Sequence, residues 1–316
     1  YKWTLSLSAP LRWTGYTGVG FSRISVNPSL SIIYKLNYAW RFTVHASYKE
    51  RYGEMTDLYD RPYQTDYRNS VWNCGILPVY RQQLYSVYGE YKNTAREFFA
   101  TVNLTHNREW YNRIYEQRIE NGQVQRVSLP LSNHGSGYTV KSTLSKGFYD
   151  LGLKTSLMAL LNISKAEQIS GGQRLPYQYR LMRLEPKVIW TPNRHWETSY
   201  QTDIRYGGSK IGERTRLAPL WNVIQQVQLS YIFSPIEASL SVDHYHNDVN
   251  EDQSVNAVFA DFSVSWKSGR WQITATATNL FDKRTYAYTR YASLESYTSW
   301  VRIRPREFLV AIRYRL

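Results

Sequence analysis

Apolar and polar residues alternate with a period of two along most of the chain. Over 225–233, Val227, Leu229, Tyr231 and Phe233 alternate with Gln226, Gln228 and Ser230. Over 271–278, Trp271, Ile273, Ala275 and Ala277 alternate with Gln272, Thr274, Thr276 and Thr278. Phe308, Val310, Ile312, Tyr314 and Leu316 share one face of 307–316. Side chains on a strand point alternately to its two faces, so each segment has one apolar and one polar side. The same pattern runs through 30–36, 41–49, 82–91, 98–105, 138–145, 150–162, 179–190, 196–205, 238–246 and 261–267. No helical stripe of comparable length is present.

The breaks between these segments are of two kinds. Short turns are predicted near 37–40, 92–97, 146–150, 191–196, 233–237 and 267–271. Longer polar stretches fall between them, at 51–79, 110–136, 166–175, 207–219, 248–255 and 280–300. Strict alternation of short and long connections is a property of outer-membrane barrels rather than of soluble sandwiches. Two strands per interval, two before the first turn and two after the last, give about 14 strands. The predicted fold is all-β, a transmembrane antiparallel barrel. Trp40, Tyr91, Trp190, Trp196, Phe233, Trp266 and Trp271 flank the short turns, where an interfacial aromatic girdle belongs.

Composition sharpens this picture. The 316 residues include 28 Tyr, 11 Trp and 10 Phe, a content that disordered chains lack. The mean hydropathy is −0.52, and no apolar run approaches the ~20 residues of a spanning helix, which excludes helical spans and leaves strands untouched. The chain opens on Tyr1 inside a strand-like pattern, as a mature product or a fragment does. A formal charge of +14 suits an anionic surface or ligand. The cations are spread over loops and polar faces rather than clustered, which argues against nucleic acid as a partner. Cys74 is the single cysteine, so an intrachain disulfide is excluded. Ser145 and Ser209 lack a Gly-x-Ser-x-Gly setting, and the glycines of 15–20 and 171–174 do not form a phosphate loop. The expectation is a non-enzyme without a cofactor.

The C-terminal end carries a more specific signal. Residues 279–286 read NLFDKRTY and 304–316 read RPREFLVAIRYRL. Together they resemble the close of TonB-dependent outer-membrane receptors. The stretches 27–54 and 82–114 also look like this superfamily, in the branch that often carries a carboxypeptidase-like N-terminal domain. The resemblance implies a barrel of 22 strands with an N-terminal plug, coupled to a TonB-type energy-transducing complex. Some relatives also work with a surface lipoprotein. It further implies a Gram-negative outer-membrane location and uptake of a large or scarce nutrient. On this reading residues 1–316 are the C-terminal barrel segment, without the plug and the N-terminal strands. Leu316 departs from the aromatic residue usual at the last position. A plugless barrel serving as scaffold in a larger outer-membrane complex is the alternative.

Three constellations carry candidate chemistry. Arg61, Tyr63, Arg68 and Trp72 lie in the long stretch 51–79, where forked hydrogen bonds and ring stacking suit ligand capture at the mouth. Trp110, Tyr111 and Tyr115 have the same character. Arg302, Arg304 and Arg306 share a face that runs on to Phe308, so guanidinium groups just above the lipid band would meet lipopolysaccharide phosphates. His244 and His246, two apart and followed by Asp248, are a weak metal candidate that lacks a third ligand.

Overall fold

The computed structural model describes residues 2–17, 20–73, 75–120, 123–212, 215–250, 252–292 and 295–315, the side chains at 120, 215–218, 290–292 and 295–297 excepted. Cys74 and Leu316 lie outside the described residues. No helix among the described residues is long and apolar enough to cross a membrane.

Fourteen strands form one antiparallel wall. They are β1 (Trp3–Ser8), β2 (Ser29–Lys35), β3 (Trp40–Tyr52), β4 (Val79–Asn93), β5 (Phe98–Tyr111), β6 (Asn133–Phe148), β7 (Leu153–Ser170), β8 (Gln173–Asn193), β9 (Trp196–Ile211), β10 (Thr215–Phe233), β11 (Ile236–Asp248), β12 (Ser254–Ser268), β13 (Trp271–Thr278) and β14 (Glu307–Tyr314). Each pairs with the next in chain order. This is the meander that the alternating turns imply. Among the described residues β1 and β14 are not paired with each other, so the wall is open and has two edges.

Register turns the sequence pattern into two surfaces. One row runs Leu5, Ile32, Val44, Val87, Leu104, Val140, Leu161, Met182 across eight strands. Leu229, Leu240, Phe262, Ala277 and Phe308 make a similar row on the far side. These side chains are half-buried by their strand neighbours or exposed. Val44, Val87 and Leu104 are each 47% exposed and Phe308 is 72% exposed. A continuous apolar band of this kind is the lipid-facing surface of an outer-membrane barrel. The opposite face carries Thr43, Tyr88, Asn103, Lys141, Arg183, Arg205 and Asn222. There Arg183 makes two 2.9 Å hydrogen bonds to Asp203, which also pairs with Arg205, as suits a polar lumen.

Aromatic rings mark the edge of the band beside the short turns. Trp3 stacks on Tyr34, and Trp40 on Tyr91, Trp196 on Tyr231 and Trp271 on Tyr314 follow at centroid distances of 4.2 to 4.8 Å. At the other edge Tyr85, His106 and Tyr138 lie side by side, and Tyr206 meets Trp221.

Several long polar stretches differ from the loops expected of them. Residues 166–175 continue β7 and β8 into a hairpin closed by Gly171 and Gly172, with φ of 58° and 76°. Residues 207–219 likewise extend β9 and β10, with Gly212 at φ 60° in the turn. Positive φ at such positions is what a tight hairpin turn requires of glycine. β8 has 21 residues, or about 70 Å of strand, against the 9–11 residues that a bilayer needs. The wall therefore rises well beyond the lipid. Other long connections contain short hairpins: Leu11–Tyr16 with Phe21–Val26, Ile114–Glu120 with Gln123–Leu129, and Thr285–Ala292 with Glu295–Arg302.

The two faces make opposite demands on charge. Leu104→Arg, in the apolar row, is expected to destabilise the bilayer-embedded protein by about 2–4 kcal/mol, and Asn103→Arg, facing the lumen, by far less. Equilibrium unfolding from phospholipid vesicles measures both, and equal costs would contradict the assignment of faces.

Candidate functional site

Two long connections are bound together at the mouth. Strand Asn69–Trp72 pairs in parallel with 124–127 of the Gln123–Leu129 strand. Ile114–Glu120 pairs in parallel with the upper end of β7, Glu116 opposite Ile169 and Gln117 opposite Ser170. Side chains add to this. Arg113 donates to Asp57 at 2.9 Å. Asn112 donates to the Leu77 carbonyl at 2.9 Å and accepts from the Val79 amide at 2.8 Å. The hairpin of Ile114–Glu120 and Gln123–Leu129 is held on both sides, and its own Ile114, Val127 and Ser128 are fully buried.

A cleft of about 910 Å³ opens between this hairpin and the inward face of β5, β6 and β7. Its size is at the upper end of small-molecule sites. Asn107, Glu109 and Tyr111 of β5 line it, with Tyr115, Glu116 and Arg126 of the hairpin and Lys165 of β7. Glu109 accepts from Tyr80, Gln82 and Asn107 at 3.0 Å each and from Tyr111 at 2.7 Å. Glu116 is held by Arg118 at 2.6 Å and Glu167 by Arg174 at 3.2 Å. Asp66 closes its own turn, accepting from the Arg68 and Asn69 amides and the Asn69 side chain. The Asn69 side-chain hydrogen bond, then the Arg68 amide, hold its carboxyl below the usual range. The Arg126 guanidinium lies 3.6 Å from the Tyr115 ring centre.

The sequence-predicted mouth residues sit beside this cleft rather than in it. Trp72 donates to Asp60 at 3.1 Å, Tyr63 meets Tyr59 edge-on, Arg68 lies over Tyr67 and Arg61 is exposed. Their neighbours Thr65, Asp66, Asn69, Ser70 and Val71 reach the lining. Of the aromatic group at 110–115, Tyr111 and Tyr115 line the cleft. Trp110 belongs to the outward parity of β5 and is 38% exposed. Glu109, Glu116 and Arg126 were not singled out by sequence. The inward parity of Asn107, Glu109 and Tyr111 was the available signal for the first of them.

The histidines lie on the outward face. Strand register sets His244 beside Gln225 and Val258, and His246 beside Val223 and Asn256. His246 contacts Asn256 at 2.9 Å and Asp248 at 3.3 Å, and Asp248 also accepts the Trp221 amide at 2.7 Å. Among the described residues, groups of three or more His, Cys, Asp or Glu that could hold a metal are absent.

At the end of the chain, the motif 279–283 ties the last strand in place. Asn279 is buried and has a φ of 50°. Its amide donates to Asp261 at 2.7 Å. Its side chain donates to the carbonyls of Lys283 at 2.9 Å and Arg304 at 2.8 Å, and accepts the Lys283 amide at 2.9 Å. Asp282, φ 51°, accepts the Arg306 amide and Arg284 at 2.9 and 2.8 Å. The Arg306 amide, then Arg284, keep the Asp282 carboxyl below the usual range. Arg302, Arg304 and Arg306 are exposed, and ion pairs within 4 Å are absent from all three among the described residues.

In comparison with solved structures, the chain superposes on BauA, the ferric preacinetobactin receptor from Acinetobacter baumannii. The TM-score is 0.52 at 8% identity, over 98% of this chain and 55% of that one. It superposes on the FrpB iron transporter from Neisseria meningitidis (F3-3 variant) with a TM-score of 0.54 at 9% identity, over 92% of this chain and 47% of that one. The chain thus spans about half the length of these receptors. No protein-family model matches it, and no curated protein matches it in sequence. The likeness is one of fold, an antiparallel β-barrel wall of the class expected from the sequence.

Asn279→Ala removes the side-chain bonds to both strand approaches and leaves buried peptide groups without partners. It is expected to cost about 1–3 kcal/mol, read as a lower urea midpoint in the heat-modifiable gel shift. Asp282→Asn should cost less at neutral pH. The contribution of a depressed carboxyl is present above its ordinary range and is lost as pH falls through its lowered pKa, so variant and wild type should converge in acid.

Proposed function

We propose that this chain is the C-terminal wall and mouth of a TonB-dependent outer-membrane receptor that takes up a large or scarce nutrient. One observation carries the reading: an open fourteen-strand meander, polar inside and apolar outside, that overlays about half of two ligand-taking receptors. An unpaired strand edge in lipid leaves N–H and C=O groups without partners, at several kcal/mol each. On this proposal β1 and β14 meet further strands of one barrel, and a plug domain fills its lumen. A TonB-type complex moves the plug, and the loops of this chain capture cargo, with or without a surface lipoprotein. The unpaired edges weigh against the plugless scaffold.

The rim arginines fit the same setting. Arg302, Arg304 and Arg306 precede Phe308, Val310 and Ile312 of the apolar band, and we read them as contacts for lipopolysaccharide phosphates. A triple Arg→Gln variant should lose co-purifying lipopolysaccharide, and full retention would refute the contact.

Growth profiling tests the receptor reading. A host strain lacking this chain should lose a subset of the nutrients lost by a strain lacking the energy-coupling protein, across ferric chelates, cobalamin, glycans and peptides. A deletion strain that keeps every one of them overturns it.

A further inference from the structure

We infer that the cleft beside the 114–129 hairpin captures its cargo by a carboxylate group, with Arg126 as the fork that receives it. The inference rests on the receptor reading for the word cargo, and on the cleft alone for its chemistry.

Charge accounting within the cleft gives the sign. Each carboxylate there already has a partner: Glu109 has four neutral donors, three on Oε1 and one on Oε2, Glu116 has Arg118, Glu167 has Arg174, and Asp66 has its own turn. Arg113 is spent on Asp57. Arg126 lines the same space and makes no ion pair within 4 Å among the described residues. An incoming anion therefore finds in Arg126 a cation without an ion-pair partner, whereas each carboxylate of the lining already has donors.

Geometry makes Arg126 the specific contact, since strand register gives Lys165 the outward parity of Leu161. Its backbone is fixed from both sides, opposite Gln117 in the hairpin and opposite Val71 in the neighbouring strand. Its guanidinium lies 3.6 Å from the centre of the Tyr115 ring, with Arg113 at 5.0 Å from the same ring. A guanidinium laid on an aromatic face loses little freedom on binding and keeps its N–H edges open. Those edges match the two oxygens of a planar carboxylate. Much of the remaining lining is amide and hydroxyl, with Asn107, Gln117, Asn133, Ser164 and Gln168 beside the apolar Val71, Val124 and Ala166. The ligand class is a hydroxylated carboxylate, and the cleft of about 910 Å³ admits one of drug-like size.

The test uses the purified full-length receptor in detergent, with citrate as probe, glycerol as the uncharged polyol and spermidine as the cation, read by calorimetry. Citrate is expected to bind, weakening with salt, while glycerol and spermidine do not. Arg126→Gln should weaken citrate binding about tenfold or more, and Arg126→Lys should restore part of it, since it returns the charge without the fork. Arg270→Gln, exposed in the short turn between β12 and β13, should bind as wild type. A retained heat-modifiable gel shift certifies that each variant is folded. No citrate binding at millimolar concentration, equal binding by Arg126→Gln, or equal binding of spermidine overturns the inference. Citrate binding that depends on Arg126 in a protein whose deletion spares all energy-coupled uptake would instead overturn the receptor reading and leave the cleft's chemistry standing.

Discussion

Within hydrocarbon every peptide N–H and C=O must find its partner inside the protein, and the rest of this structure follows from how the chain meets that demand. Antiparallel pairing of each strand with the next satisfies the backbone from β1 to β14. The same pairing fixes the register, and the register fixes the faces. Leu104 faces lipid because it lies opposite Val87 and Val140; Asn103, one residue away, faces the lumen for the same reason. The apolar band, the polar lumen and the aromatic edges are therefore consequences of one hydrogen-bond pattern.

Above the lipid the demand relaxes, because water can serve any group left unpaired. The chain uses that freedom in two ways. β7 to β10 simply continue as two-sided polar hairpins. The connections after β3 and β5 do something else: they pair with each other and with the end of β7, through parallel contacts at 69–72 and 116–117. The cleft is the gap left between that small added sheet and the wall. Its rigidity is that of a sheet, which matters for a guanidinium that must stay flat on Tyr115.

What could be read from sequence follows the same division. Inside the lipid, one face meets oil and the other meets water, so alternation is strong and the strand count of about 14 and the short turns were legible. Above it both faces meet water and alternation fades. For that reason 166–175 and 207–219 looked like loops, although most of their described residues are strand, with Gly171, Gly172 and Gly212 at the turns. The mouth was legible only as a composition rich in Arg and Tyr. Arg61, Tyr63, Arg68 and Trp72 have that composition, yet Trp72 is committed to Asp60. The cleft itself draws on β5, β7 and two connections, and no periodicity links Glu109, Arg126 and Lys165. The closing motif was legible as a resemblance, and its physical content appears only in the bonds that Asn279 and Asp282 make.

Those bonds answer a problem specific to the last strand. β14 has 8 residues and a neighbour on one side only among the described residues, and it returns after the long connection 279–306. Such a strand is free to slip. A slip of one residue would turn Phe308, Val310 and Ile312 into the lumen and bring Leu309, Ala311 and Arg313 to the lipid. Backbone pairing alone resists this weakly, since the slipped strand makes nearly as many bonds. Asn279 resists it directly, because it holds Arg304 and Lys283 while its own amide is fixed to Asp261 on β12. Asp282 fixes the Arg306 amide, the last residue before the strand. With both ends of the connection clamped, β14 enters the wall at one residue, and that register decides which of its sides meets lipid.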